Sequence, residues 1–83
     1  MPSFGVQPAL AALRRERYSI PLAARTIGVP EGHLRHVLHG HTRPMEDVKT
    51  GLAELLDLPV EDLFVPGMLA KPYQASQAWG IRS

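Results

Sequence analysis

Apolar side chains along this chain recur at helical spacing, and nowhere between Pro8 and Val65 do they alternate as a half-buried strand would. Leu10 and Leu13, with small Ala9 and Ala12 beside them, make a short apolar face that runs into Arg14, Arg15, Glu16 and Arg17. Pro8 suits the first turn of that helix, where its missing N–H costs nothing. Ser19 stands as an N-cap with Pro21 in the turn behind it, which predicts a second helix over residues 20–27. Gly28 stops it, because glycine readily takes the left-handed conformation that ends helices. Val29 and Pro30 restart the chain, and a third helix is predicted over residues 31–39, halted by Gly40. After a loop through His41, Thr42 and Arg43, Pro44 opens a fourth helix whose Val48, Leu52, Leu55 and Leu56 share one face expected in the core. Asp57, Leu58 and Pro59 break it, and a short fifth helix over residues 60–64 ends at Pro66 and Gly67.

This pattern predicts an all-α domain of five short helices over residues 8–64, preceded by an arm at 1–7 from which Phe4 and Val6 can tuck onto the core. Residues 65–83 differ in kind. They mix breakers with Met68, Leu69, Tyr73, Trp79 and Ile81, and read as a non-globular or dimerising tail. A strand, an arm across a partner, or a pad against the first helices would each fit it. Tyr73 and Trp79 are the side chains expected to fill a dimer seam or meet a protein partner.

Size and composition narrow the possibilities. Eighty-three residues make one domain at most, and without cysteine neither disulfides nor thiolate ligands can supplement its core. No apolar run approaches the roughly 20 residues that span a bilayer. The first arginines follow the leading apolar stretch, the reverse of a secretory signal, so a cytoplasmic protein is expected. The net charge of +1 hides an asymmetry: residues 1–43 carry +4, and residues 44–83 carry −3. Such a division suggests one face for a polyanion and an acidic face elsewhere.

Residues 20–39 carry the most information. Two helices crossing steeply over a three- or four-residue turn need small residues at their contact, a turn residue tolerant of positive φ, and inward apolar positions. Ala23, Ala24, Ile27, Gly28, Val29, Leu34 and Val37 supply these in order. This spacing resembles the helix-turn-helix of phage repressors and Cro proteins, within the wider Xre-type family of bacterial regulators. The similarity runs without gaps from Ser19 to Pro44 and more loosely over residues 8–64. It implies a lambda-repressor-like DNA-binding domain. Ile20 stands where the family usually has a glutamine that often anchors a phosphate, and Pro30 where it has serine or threonine. Gly32 falls where the family often places a base-reading side chain. That implies either that specificity has moved to neighbours or that the backbone comes unusually close to DNA.

A helical wheel at about 100° per residue clusters Leu34, Val37 and Leu38 inward. It sets Gly32, His33, Arg35, His36 and His39 on the opposite side. Such a face suits the major groove, where arginine bridges guanine O6 and N7 and histidine donates to base acceptors. Base contacts are therefore expected from His33, Arg35 and His36, with Gly32 and Glu31 at the same surface. Glu31 could accept from cytosine N4, although a first-turn carboxylate also interacts well with the helix dipole. Phosphate contacts are expected from Ser19, Arg25, His39, His41, Thr42 and Arg43.

Four histidines at spacings of three, three and two raise a metal site, but no carboxylate or thiolate is evident to complete it, and none is expected. No cofactor is expected either. Nothing resembles a positioned nucleophile and base, so the chain is not expected to be an enzyme. The resemblance implies a transcriptional regulator, most simply a Cro-like or short phage or prophage repressor. It would occupy a promoter as a homodimer on a two-fold site of double-stranded DNA. The alternative is a protein-interaction module, or an antitoxin-like chain whose tail covers a partner. The acidic second half and the Tyr/Trp-bearing tail favour it.

Overall fold

A computed structural model describes residues 4–73. These form six helices: α1 (Pro8–Arg15), α2 (Ile20–Ile27), α3 (Glu31–Leu38), α4 (Glu46–Leu56), α5 (Val60–Leu63) and α6 (Pro66–Leu69). No strand occurs among the described residues, and no helix there is long and apolar enough to cross a membrane. The described residues are therefore all-helical, with one helix more among them than the periodicity predicts.

Local chemistry explains where the first helices begin and end. Pro8 occupies the first turn of α1, which buries Ala9, Leu10, Ala12 and Leu13 and leaves Arg14 and Arg15 at its carbonyl end, where cations are favoured. Ser19 caps α2, its Oγ accepting from the N–H of Leu22 at 3.2 Å. α1 packs on α3, α4 and α5, and α2 packs on α3 and α4. Between them lies one core in which Leu13, Leu34, Val37, Leu38, Val48, Leu52, Leu63, Phe64 and Met68 are at most 1% exposed. On α4 only Val48 and Leu52 are fully buried; Leu55 and Leu56 lie half-exposed against the edge of this core. The face expected to be buried is thus narrower than its sequence spacing suggested.

The two ends of the described chain are more integrated than an arm and a tail. Pro66 looked like a breaker, but at the first turn of α6 its lost N–H has no partner to forfeit. This short helix drives Met68 wholly into the core, so residues 65–69 belong to the domain rather than to a loose tail. The N–H of Phe4 donates to the carbonyl of Gly40 at 2.9 Å, and that of Gln7 to Leu38 at 2.8 Å. Gln7 is only 1% exposed. Its Oε1 accepts from the N–H of Val65 at 2.9 Å while its Nε2 donates to Gly5 at 2.9 Å. Residues 4–7 are therefore a staple that joins the end of α3 to the start of α6. Phe4 packs against the core as expected, whereas Val6 stays 63% exposed.

Gly40 makes the staple possible. Its φ is 83°, and a Cβ there would lie 2.2 Å from the carbonyl oxygen of Gly5. A left-handed backbone and a backbone crossing both demand glycine. Gly40→Ala is expected to destabilise the protein by roughly 2–4 kcal/mol, from the left-handed penalty and overpacking together. Gly32→Ala is the control, because that exposed helical position has nothing within 4 Å of an added Cβ. It should gain up to about 1 kcal/mol from helix propensity. Urea unfolding midpoints of the two variants check both signs.

Candidate functional site

The most distinctive surface lies on α3 and the loop that follows it. Ala23 and Ala24 are buried at 0% and 2% exposure, and their small side chains let α2 lie close against its neighbours. Gly28 then turns the chain with φ 78° and ψ 36°, and its N–H and that of Val29 both donate to the carbonyl of Ala24, at 2.8 and 3.0 Å. Nothing lies within 4 Å of a Cβ at this glycine, so backbone conformation rather than space demands it. Val29 is buried and Ile27 half-buried, and extended Pro30 starts α3. The turn thus aims α3 with one side toward the core.

Buried on that side are Leu34, Val37, Leu38 and also His33, which is 2% exposed. The expectation that His33 reads a base is corrected here: its ring faces inward. Its Nε2 accepts from the N–H of Met45, the N-cap of α4, at 3.1 Å. With Nε2 accepting, Nδ1 carries the proton, and it is buried without a hydrogen-bond partner. The ring of Tyr73 stands edge-on at 4.8 Å between centroids. The signal was present in the sequence, since His33 precedes Val37 by four residues and so lies about 40° from it on the wheel. Histidine's polarity obscured that stripe position.

Glu31, Gly32, Arg35 and His36 are exposed on the outer side, and His39 is half-exposed at the helix end. Arg35 pairs with Glu31 one turn earlier, and both side chains remain nearly half-exposed. The Nδ1 of His39 lies 3.0 Å from the carbonyl of Arg35. His41 folds back beside the helix, its N–H donating to the carbonyl of His36 at 2.8 Å and its ring 6.2 Å from that of His36. The structure therefore gathers Arg35, His36, His39 and His41 at one end of α3. Ser19 and Arg25 are exposed on α2, and Thr42 is half-buried in the loop.

Arg43 does something the sequence did not announce. Its Nη1 donates to the carbonyls of Gly67 and Met68, at 2.7 and 3.1 Å, and its guanidinium lies 4.9 Å from the centroid of the Phe4 ring. A residue expected to hold a phosphate instead clamps α6 and the staple. Tyr73, expected at a partner seam, packs on His33, and Trp79 lies outside the described residues. Among the described residues no three histidine, aspartate or glutamate side chains are placed to hold a metal ion.

No family model matches this chain, and neither a curated protein nor a solved structure does.

Burial lowers the pKa of His33 below 6.5, and the neighbouring charge of His36 lowers it further. The unfolded chain therefore takes up this proton more readily than the folded one. Stability from the neutral ring is fully present above pH 6.5 and is lost as pH falls from there toward the lowered folded value. His33→Gln keeps an amide acceptor but cannot titrate. Its unfolding midpoint should fall less than that of the parent between pH 7.5 and 5.5. An equal fall of the urea midpoint in parent and variant between the two pH values would remove His33 as the acid-sensitive group.

Proposed function

We propose that this chain is a sequence-specific regulator of transcription that binds double-stranded DNA through the outer face of α3. The observation that carries the proposal is the division of that helix. Leu34, Val37 and Leu38 face the core, while every side chain on the outer face is charged or hydrogen-bonding, with Gly32 the one bare position. An eight-residue helix with that surface fits the major groove, which is wide enough to admit it. In this reading α2, the Gly28 turn and α3 form a helix-turn-helix of the lambda-repressor-like type. The resemblance of residues 19–44 to phage repressors and Cro proteins supports the same assignment.

Arg35 and His36 are the base-reading side chains of this proposal. His39, His41, Arg25 and Ser19 would meet phosphates and set the register. His33 takes no direct part; it holds α3 against the start of α4. The regulator would act as a homodimer on a two-fold operator, repressing by occupying a promoter in the manner of a Cro-like protein.

Selection from a random duplex library by the purified protein, followed by sequencing, tests this. A two-fold symmetric motif is expected, with half-sites about one helical turn apart. Binding to that motif should weaken steeply between about 50 and 200 mM salt, as phosphate contacts require. Arg35→Ala should cost about 1–3 kcal/mol on the selected site and relax one base position. No enrichment at low salt would overturn the proposal and leave a protein partner as the reading to pursue.

A further inference from the structure

Resting on that DNA-binding reading, we infer that Glu31 and Arg35 act as one coupled reader of a cytosine and a guanine in neighbouring base pairs. The two side chains are joined by an ion pair on the outer face of α3, and each keeps nearly half its surface in water. Glutamate one turn before arginine is the favourable order for such a pair. The ion pair also directs the guanidinium. Arginine carries five N–H donors in a rigid plane, so a fork held by a carboxylate at one edge still presents donors at another. Two parallel donors match guanine O6 and N7, and a carboxylate matches the N4 amino group of cytosine.

Charge explains why the two must work together. A lone carboxylate carried into a groove walled by phosphates loses hydration and meets like charge. Paired with Arg35, Glu31 enters as part of a neutral unit, and its free lone pairs remain available to a base. Gly32 supplies the space. It lies beside Glu31 on the exposed side, and nothing stands within 4 Å of where a side chain would begin. Base edges can therefore come close to the α3 backbone next to the pair. About 6 Å of rise separates Glu31 from Arg35 along the helix, and the ion pair draws their tips together. Tips held in contact can meet adjacent base pairs, which stack about 3.4 Å apart.

Library selection repeated with two variants tests the inference. The parent is expected to enrich adjacent cytosine and guanine within each half-site. Glu31→Gln should keep the guanine and exchange cytosine for adenine, because a carboxamide pairs with adenine N6 and N7. The exchange should read as roughly a 5- to 150-fold change in relative affinity between the two sites. Arg35→Ala should lose the guanine preference and weaken the cytosine preference with it, since Glu31 then stands unpaired. Both positions are exposed, so far-UV circular dichroism of either variant should match the parent. If Glu31→Gln selects the parent's motif unchanged, Glu31 only steadies the helix and the coupled reader is overturned while the DNA-binding reading stands. If the parent itself enriches nothing, the DNA-binding reading fails first.

Discussion

An eight-residue helix makes too few internal hydrogen bonds to persist in water by itself, so α3 depends on what holds its buried side and its two ends. At its start, the Gly28 turn hands the N–H groups of Gly28 and Val29 to Ala24, which joins α3 rigidly to α2. At its finish, the carbonyls of Leu38 and Gly40 are taken by Gln7 and Phe4. Along its length, Leu34, Val37 and Leu38 bury fully, and His33 receives the first N–H of the α4 cap. The outer face can then be wholly polar, because little of the helix's stability is asked of it beyond the Glu31–Arg35 pair.

This division of labour explains why several polar residues lie in unexpected places. Gln7 and His33 are both buried, and each satisfies backbone groups that secondary structure leaves open: Gln7 at the entry to α6, His33 at the entry to α4. Leaving such groups unpaired would cost about 1–3 kcal/mol apiece. Arg43 does similar work at α6, where it binds the carbonyls of the two middle residues, Gly67 and Met68. Together these contacts turn the two ends of the described chain into a clasp behind α3. His33 is the exception to full satisfaction, since its Nδ1 has no hydrogen-bond partner and its neutral form is what the core accepts.

A helix arranged this way separates the side chains that support the fold from those that face outward. The buried side of α3 is tied to α2, α4 and residues 4–7, so substitutions there act through stability. Arg35, His36, Glu31 and Gly32 lie outward and can change without disturbing the core. Of the four histidines, three lie on or beside the outer end of α3 and one beneath it. Residue type alone could not sort them, because imidazole serves equally as a surface donor and as a buried acceptor.

By itself, the sequence determined where α1 to α5 lie, that Ser19 and Gly28 bound α2, and that Leu34, Val37 and Leu38 face inward. Those features are local: they follow from helical periodicity, caps and turn residues within a few positions of one another. Only the tertiary structure decided that His33 accepts from the start of α4, that Arg43 clamps α6, that Met68 belongs to the core and that residues 4–7 form a staple. Each of these depends on segments far apart in the chain, as with Gln7 and Val65, which are 58 residues apart yet share a hydrogen bond. A pattern read along one dimension shows which side of a helix is apolar. It does not show which distant backbone group will need a polar partner, and that need is what drew these side chains inward.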